Sequence, residues 1–590
     1  MGIVFLIQQA AADAIGKLYN LELLPTDIQV SETKPEFEGD YTVVLFGLTR
    51  QLKKSPEQIG REIGDQLLTN HGALVSGFNV IKGFLNISVA DLYWLEFLSL
   101  NFSNDTYGFQ PPMGRKVMVE YSSPNTNKPL HLGHLRNIFL GWSIAEIFKA
   151  SGYDVRKTAI ANDRGIHICK SMVAWKMFAN GETPESTGTK GDHFVGDYYV
   201  KFGAVHKEQV AELMASGMAK EEAEKEAPIM KAAQQMLVDW ENGVPEVIDL
   251  WKKMNAWVYS GFDTTYARVG ADFDKTYYES NVYLLGKQMV EEGLEKEVFL
   301  KKDDGSVWID LTKEGLDEKI VQRKDGTAVY ITQDIGLAQL KQKEYDADIS
   351  IYVVGNEQDY HFKVLKLIAQ KLDIEGAEGI HHLSYGMVEL PSGRMKTREG
   401  TVVDADDIID EMETISAKHT QELGKVKDFD DAGLLELYST IGLGALKFYL
   451  LRVDPKKKML FNPEESIDFH GFTGPFIQYT YARTRSILRR EMPEREKMGD
   501  ALLPAEKKMI LELERFALTI RQAAEEMNPS VVAIYVFRLA QSFNSFLADH
   551  RILTAESEEK KELRLQIAQF TANVIAAGMR LLGIRVPERM

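Results

Sequence analysis

Two histidines and a lysine lie close together in PNTNKPLHLGHLRN (124–137), where a strand-like pattern gives way to a helical one. Nucleotides bind at the carboxyl ends of parallel strands, and a helix N-terminus there favours negative phosphate. His131 and His134 can donate hydrogen bonds to phosphate oxygens as charge develops on them. Gly133 lacks a Cβ, so a ribose or adenine can lie against the backbone. These residues predict a nucleotide phosphate site, although HxGH alone also occurs in surface turns.

A second basic segment, GRMKTREGTVVDADD (393–407), lies far downstream. Arg394, Lys396 and Arg398 supply three cations beside Met395. Alone, this run is equally typical of a solvated basic turn. Together with the two histidines it predicts a second contact to phosphates.

The elements around the histidines predict a parallel α/β sheet. Strand-like runs at 116–125 and 155–163 enclose a helical pattern that begins at Gly133 and ends near Gly152. Strand, helix and strand at this spacing favour parallel pairing. Residues 205–260 are helical and acidic, and strand-like runs resume at 348–355 and 381–390. We expect an open sheet in two halves, with a helical segment inserted between them.

The segments before and after this predicted sheet have different sequence patterns. Residues 1–110 combine helical periodicity with short strands at 41–47 and 83–90, and 104–114 has the composition of a linker. After about residue 440 the strands disappear, and helical patterns continue to the end apart from loops near 454–475 and 491–504. The sequence predicts an α+β unit first and a helical bundle last.

Composition limits the class of protein. A chain of 590 residues is long enough for several domains at roughly 150 residues each. The single cysteine, Cys169, excludes a disulfide framework and a cysteine-rich zinc site. No apolar run reaches the ~18 residues of a membrane span, and the first residues have no basic region of a signal peptide, so we expect a cytoplasmic protein that binds no membrane. The net charge of −18 does not exclude a polyanionic partner, because local Lys and Arg can still steer one.

The stretch VEYSSPNTNKPLHLGHLRN (119–137) resembles the arginyl-tRNA synthetases, which are class I enzymes, with HLGH in place of their HIGH signature. The downstream segment resembles their KMSK loop, with Arg394, Met395, Lys396 and Thr397 at the four positions. Thr397 departs from the second lysine of that loop. Lys128 offers a replacement charge from the opposite side of the phosphates.

The resemblance implies a fold and a division of the chain. The fold is a Rossmann-like parallel-sheet catalytic domain with an N-terminal α+β add-on domain and a C-terminal all-α anticodon-binding bundle. The expected boundaries are 1–110 for the add-on domain and its tRNA elbow contact, 111–410 for the catalytic domain with an insertion at about 175–270, 411–455 for connecting helices, and 456–590 for the anticodon-binding domain.

The resemblance also implies which residues bind each substrate. A guanidinium is best held by carboxylates, so acidic residues should lie near the ends of the central strands. RNA bases stack on aromatic rings while cations meet phosphates, which suits the stretch at 468–490. The ATP site is assigned to Lys128, His131, Gly133, His134, Arg394, Met395, Lys396 and Arg398; the arginine site to Glu120, Ser122, Asn125, Tyr330, Asp334 and Gln358; and tRNA contacts to Phe84, Asn86, Tyr479 and Arg483.

The implied activity is ATP-dependent formation of arginyl-adenylate and transfer of arginine to the 3′ end of tRNA(Arg). Mg²⁺ is expected as the ATP counter-ion, with no structural metal, and the chain is expected to be a monomer. Three alternatives stay open: another class I synthetase (cysteinyl, glutamyl or glutaminyl), a small-molecule nucleotidylyltransferase that shares HxGH, and an RNA-binding relative without catalysis.

Overall fold

The computed structural model describes residues 2–34, 36–327, 329–389, 391, 403–422, 429–494 and 501–590. The predicted phosphate contacts Arg394, Met395, Lys396 and Arg398, together with Thr397, lie outside the described residues.

The N-terminal unit is a four-stranded antiparallel sheet covered by helices, with strand order β1-β2-β4-β3. This agrees with the predicted α+β class. The strand predicted at 41–47 is too long, because Leu45 caps a helix that begins at Phe46. The elements are α1 (Ile3–Tyr19), β1 (Val30–Glu32), β2 (Tyr41–Val44), α2 (Phe46–Leu52), α3 (Pro56–Asn70), β3 (Val75–Ile81), β4 (Phe84–Val89) and α4 (Asp91–Asn101).

The central unit contains the predicted parallel sheet, with five strands in the order β12-β11-β5-β6-β7. The elements of this unit are β5 (Lys116–Glu120), α5 (Leu132–Ala150), β6 (Asp154–Ala161), α6 (Ile166–Phe178), α7 (Pro184–Thr187), α8 (Gly191–Ala215), α9 (Lys220–Glu226), α10 (Pro228–Glu241), α11 (Pro245–Val269), β7 (Lys275–Tyr278), α12 (Glu279–Val282), α13 (Leu285–Glu295), β8 (Leu300–Lys301), β9 (Val307–Ile309), β10 (Lys319–Gln322), α14 (Tyr330–Tyr345), β11 (Ile349–Gly355), α15 (Asp359–Lys371), β12 (Ile380–Tyr385) and β13 (Val388–Glu389).

The strand β5 lies in the middle of this sheet, and its Val117 and Val119 are buried. Helices cover both faces, as parallel sheets require, because strands buried on both sides need apolar cover. The carboxyl ends of all five strands meet at one edge. Residues that follow these ends are therefore brought together although they are far apart in the chain.

Two features of the central unit depart from the sequence expectations. A small antiparallel sheet, β10-β9-β8, was not predicted, because its strands are only two to four residues long. The strand-like run at 381–390 is divided at Gly386 into β12 and β13. The inserted helices α6 to α11 lie between β6 and β7.

The C-terminal unit is a helical bundle, as predicted, with one correction. Strands do not disappear after residue 440, because β14 pairs in parallel with β13. The helices α17 and α22 are apolar and long enough to cross a membrane, and both contribute buried residues to the core of this unit. The elements are α16 (Ala405–Glu422), α17 (Asp431–Leu451), β14 (Met459–Leu460), α18 (Pro463–Ser466), α19 (Gly474–Leu488), α20 (Pro504–Glu514), α21 (Phe516–Glu525), α22 (Pro529–Asp549) and α23 (Glu558–Leu581).

Candidate active site

The two histidines of HLGH cap the first turn of α5. Nδ1 of His131 accepts a hydrogen bond from the Gly133 amide at 3.1 Å, and Nδ1 of His134 accepts one from the His131 amide at 3.1 Å. A neutral imidazole carries one proton, so accepting at Nδ1 places that proton on Nε2. The helix cap therefore leaves each ring with an Nε2–H donor for another group.

Both rings are neutral at physiological pH. The pKa of His131 is lowered to about 4, chiefly by burial and also by repulsion from Lys128, while Asp404 opposes the shift. Burial, His131 and Lys128 lower the pKa of His134 well below its ordinary value. Neutral donors suit a phosphate contact because they stabilise developing charge without taking up a proton.

Residues 403–405, the first described residues after position 391, lie directly beside HLGH. His131 and Asp404 form an antiparallel bridge, the Leu132 amide donates to the Val403 carbonyl at 3.3 Å, and the Ala405 amide donates to the Leu130 carbonyl at 3.0 Å. The described part of the second predicted segment, which begins at Val403, is therefore in contact with HLGH.

A cleft of about 230 Å³ lies beside this contact, and Lys128, His131 and Asp404 line it. The cleft is completed by α8, whose Gly196 lies so close to Pro129 that a Cβ would be 2.8 Å from its Cδ. Burial lowers the pKa of Lys128. A larger cavity of about 830 Å³ lies between α4 and α21, away from the carboxyl edge, so its size does not make it the reaction site.

A second group of polar residues at the same sheet edge is acidic. Asp334, on α14, is 2.7 Å from Nε2 of His361, and Tyr330 one turn earlier is 75% exposed. Glu279 directly follows β7. Burial raises the pKa of Glu279 to about 7; Arg164 opposes this shift, and the charges of Asp163 and Asp334 add to it. Despite Arg164, the net effect of burial and the like charges disfavours the ionised carboxylate, and a guanidinium bound here would favour it.

The predicted carboxylate Glu120 has a partner within the protein. It ends β5 and pairs with Nζ of Lys341, whose side chain is 0% exposed. The ammonium lies 5.2 Å from the Tyr277 ring and 5.0 Å from the Tyr352 ring. The charge of Glu120 is therefore already balanced by Lys341 within the protein.

Three further predicted arginine contacts follow the ends of β5 and β11. Ser122 is buried with φ of 62°, its amide donates to Oδ1 of Asn137 at 2.6 Å, and its Oγ is 2.7 Å from the Tyr266 hydroxyl. Asn125 is exposed, and its backbone forms an isolated parallel β-bridge with that of Asn162. Gln358 is exposed in the turn after β11.

Sequence reasoning missed Glu279 and Asp163. Asp163 is buried, where its carboxylate accepts hydrogen bonds from Tyr259 and from the amide and hydroxyl of Ser280. An acidic residue at the end of a short strand-like run, KTYYES (275–280), was the available signal. The sequence did not reveal that this run joins the central sheet.

Comparisons with known proteins agree with this geometry. The family model for the "tRNA synthetases class I (R), catalytic domain" matches residues 98–462, the "Arginyl tRNA synthetase N terminal domain" matches 6–89 and the "DALR anticodon binding domain" matches 477–590. The chain is similar to an arginine–tRNA ligase of Bacteroides thetaiotaomicron, with 53% identity over 97% of both chains. It is also similar to the solved arginyl-tRNA synthetase of Thermus thermophilus, with a TM-score of 0.80, 25% identity and 99% of both chains covered.

The chain belongs to the arginyl-tRNA synthetase family. Full-length coverage by family members confirms the predicted fold class of a class I catalytic domain between N-terminal and anticodon-binding domains.

Arginyl-tRNA synthetases must also hold RNA, and the predicted N-terminal contacts differ in exposure. Phe84 is 39% exposed and lies edge-on to Phe46 at 5.3 Å. Asn86 is only 2% exposed, its Oδ1 accepts from Thr42 at 2.7 Å, and its Nδ2 donates to Asn79 at 2.8 Å. The amide of Asn86 makes a hydrogen bond within the sheet at each end, and its burial leaves little of it accessible to RNA.

The predicted contacts in the anticodon-binding domain lie one turn apart on α19. Arg483 is exposed, and its guanidinium is 3.5 Å from Oδ1 of Asn544, while Tyr479 is half-buried. The neighbouring Phe476 packs against Phe537 at 5.2 Å and belongs to the core. Tyr479 and Arg483 stay predictions for RNA contact.

Proposed function

We propose that the chain is an arginine–tRNA ligase that activates L-arginine with ATP and esterifies it to the 3′ end of tRNA(Arg). One observation supports this above the others: neutral imidazole donors and a group of carboxylates lie at the same carboxyl edge of one parallel sheet. Donors suit the phosphates of ATP, and carboxylates suit the guanidinium of arginine.

In the first step, a carboxylate oxygen of arginine attacks the α-phosphorus of ATP. The bond to the bridging oxygen breaks, and pyrophosphate leaves with the electron pair. We assign the Nε2–H groups of His131 and His134 to the phosphate oxygens, with Gly133 giving the nucleotide access to the backbone. We assign the remaining contacts to the ATP phosphates to Lys128 and to the segment of Arg394, Met395, Lys396 and Arg398, which supplies three cations. The protein then acts by positioning and electrostatic stabilisation, without a nucleophile of its own.

Mg²⁺ is assigned to ATP and not to a site built by the protein. Among the described residues, one group has ligands close enough for a metal: Asp192, His193 and Asp406. Nζ of Lys190 already lies 2.7 Å from Asp406 and 3.1 Å from Asp192. An ammonium in that position supplies the positive charge that a metal would bring.

On the arginine side, we assign Asp334 to the guanidinium, with Glu279 beside it and Tyr330 as a hydroxyl partner. We assign Glu120 to the same side of the arginine site, where it stays paired with Lys341. We assign Ser122, Asn125 and Gln358 to the α-amino and carboxylate end of arginine.

In the second step, a ribose hydroxyl of the terminal adenosine of tRNA attacks the activated carbonyl, and AMP leaves. We assign the tRNA elbow to residues 1–110, chemistry to 111–410 with its insertion at about 175–270, the connection to 411–455 and the anticodon to 456–590. Phe84, Asn86, Tyr479 and Arg483 are the proposed RNA contacts. We also propose a cytoplasmic monomer, because one chain supplies both sides of the site and its single cysteine is buried.

The proposed function is tested by charging purified tRNA with each of the twenty amino acids in the presence of ATP. We expect arginine alone to be attached above background. Attachment of glutamate, glutamine or cysteine would favour another class I synthetase. Adenylate formation without transfer would favour a nucleotidylyltransferase, and binding of tRNA without charging would favour an RNA-binding protein.

A further inference from the structure

Arg136 is a buried cation on the HLGH helix that the proposed reaction does not use. Its side chain is 0% exposed, although it lies two residues after His134. Within the described part of the chain, its guanidinium donates only to backbone carbonyl oxygens: those of Gly386 (2.6 Å), Met387 (3.5 Å), Pro455 (3.2 Å) and Lys457 (3.0 Å). No carboxylate of the described residues forms an ion pair with it.

These four carbonyls belong to two chain segments that meet at one place. Residues 386–389 follow the last strand of the catalytic sheet, and residues 455–461 lead into the C-terminal helical bundle. The Gly386 amide donates to the Pro455 carbonyl at 2.9 Å, and the Phe461 amide donates to the Glu389 carbonyl at 2.8 Å. β13 and β14 pair between these bonds. We call 386–389 and 455–461 together the joint.

The guanidinium spans the joint because its planar fork offers donors in two directions. One terminal nitrogen binds the 386–387 side and the other binds the 455–457 side. Because Nε of Arg136 has no hydrogen-bond partner among the described residues, its buried charge is stabilised through the two terminal nitrogens, which are satisfied only while both segments keep this arrangement with the helix. Burial lowers the pKa of Arg136 to about 10, which leaves it charged at neutral pH.

The same helix is fixed to the C-terminal unit at a second place, which makes α5 a rigid connector. Oγ of Ser143 donates to the Leu581 carbonyl at 2.7 Å, and Nζ of Lys447 donates to the Gly583 carbonyl at 2.6 Å while lying 5.4 Å from the Phe139 ring. His131 and His134 form the first turn of this helix. A shift of the bundle against the sheet therefore moves the histidines.

We propose that Arg136 is a positioning residue of the ligase reaction, which sets the HLGH histidines relative to the joint between the catalytic sheet and the C-terminal bundle. This inference rests on the proposed role of the histidines. Arg136 touches no substrate; it acts through the helix that carries them.

The test uses two variants that disturb the joint from opposite sides. Arg136→Lys keeps the charge but loses the planar fork. Gly386→Ala leaves Arg136 intact, but its Cβ would lie 2.7 Å from backbone atoms of Lys457 and Lys458, so it drives the two segments apart. Arg521→Lys, at an exposed arginine, and Gly203→Ala, whose Cβ meets nothing within 4 Å, are the matched controls.

The readout is kcat for tRNA charging per active site, with active sites counted from the burst of the first turnover. We expect each joint variant to lower kcat about tenfold or more with arginine and ATP KM within about twofold, because small misplacement of catalytic groups is costly. The double variant should be no slower than the slower single variant, since both disturb one contact. The controls should match the native enzyme.

Unchanged kcat per active site in Arg136→Lys would overturn the proposal, as would losses that simply multiply in the double variant. A purely structural role predicts fewer active sites with normal turnover each. If Arg136→Lys does not fold, the kcat per active site of Gly386→Ala decides instead: a loss supports the positioning role, and an unchanged value overturns it. His134→Ala is assayed in parallel: normal turnover there overturns the proposed phosphate site, whereas normal turnover only in the joint variants overturns the positioning role.

Discussion

The two sides of the proposed active site are built in different ways. On the phosphate side, His131, Gly133 and His134 hold one another through the cap of a single helix. On the arginine side, Glu279 and Asp334 come from separate elements that only the strand order brings together.

The side chains on the two sides are therefore held in position by different kinds of contact. A helix cap is local, so the donors are fixed by a few residues and their charge state is set by burial. The acidic side depends on the packing of several strands and helices, which bring the charges of Glu279, Asp163 and Asp334 close enough to affect one another. We therefore expect changes on the phosphate side to lower turnover and changes on the acidic side to weaken arginine binding.

The largest effect is expected for the histidines. His134→Ala should lower kcat by about 10²–10³, as for loss of a transition-state donor, with little change in arginine KM. His131→Asn is the sharper variant, because asparagine can still cap the helix but cannot place a donor at the position of Nε2. Charging kinetics and thermal unfolding should show lost turnover with native stability in His131→Asn. Full activity in both variants would remove the histidines from the site.

The next effect concerns Lys128 and position 397. If Lys128 replaces the lysine that Thr397 lacks, Lys128→Ala should lower kcat/KM for ATP by about tenfold to a hundredfold, the loss of a charge-assisted contact. Adding Thr397→Lys should restore part of that loss. A double variant as slow as Lys128→Ala alone would argue against compensation.

On the acidic side, Asp334→Asn keeps the size of the side chain and removes its charge. We expect arginine KM to rise about tenfold to a hundredfold, because a hydrogen bond to a charged group contributes about 1.5–3 kcal/mol. ATP KM should change little. Glu120→Gln should act differently, since it leaves Lys341 buried without its partner, and the first sign should be a lower melting temperature.

The smallest effect is a pH dependence. The pKa of Glu279 is about 7, so more of this carboxyl is neutral below pH 7 and arginine KM should rise severalfold, by about an order of magnitude at most, from pH 8 to pH 6. Glu279→Gln should raise arginine KM at pH 8 and flatten this profile.

The same group also affects the stability of the fold. Because the pKa of Glu279 is raised from 4.5, the folded state binds more protons than the unfolded state between pH 4.5 and 7, and its stability falls as pH rises through that window. Unfolding free energies of Glu279→Gln should lack that decline; an unchanged profile would place the titrating group elsewhere.

The strand and the helix on either side of HLGH could be predicted from the sequence because the signals for them are local. HLGH, the strand before it and the helix after it follow one another along the chain, so periodicity and turn residues were sufficient. Glu279 could not be recognised, because its place depends on β7 joining the sheet after a long helical insertion. The pairing of Glu120 with Lys341 was also hidden, since nothing local relates two residues on different elements. The short strands β13 and β14 escaped for the same reason: each has two residues, and only their partner makes them strands.

The most direct test of the division between the two sides is the steady-state charging kinetics of His131→Asn, Asp334→Asn and the variant that carries both. We predict that His131→Asn lowers kcat alone, that Asp334→Asn raises arginine KM alone, and that the double variant shows both changes at their single-variant sizes within about threefold, as expected for independent sites. If either single variant changed both parameters strongly, or if the double variant departed from the product by more than about tenfold, phosphate and guanidinium would not be bound by separate sides of the site.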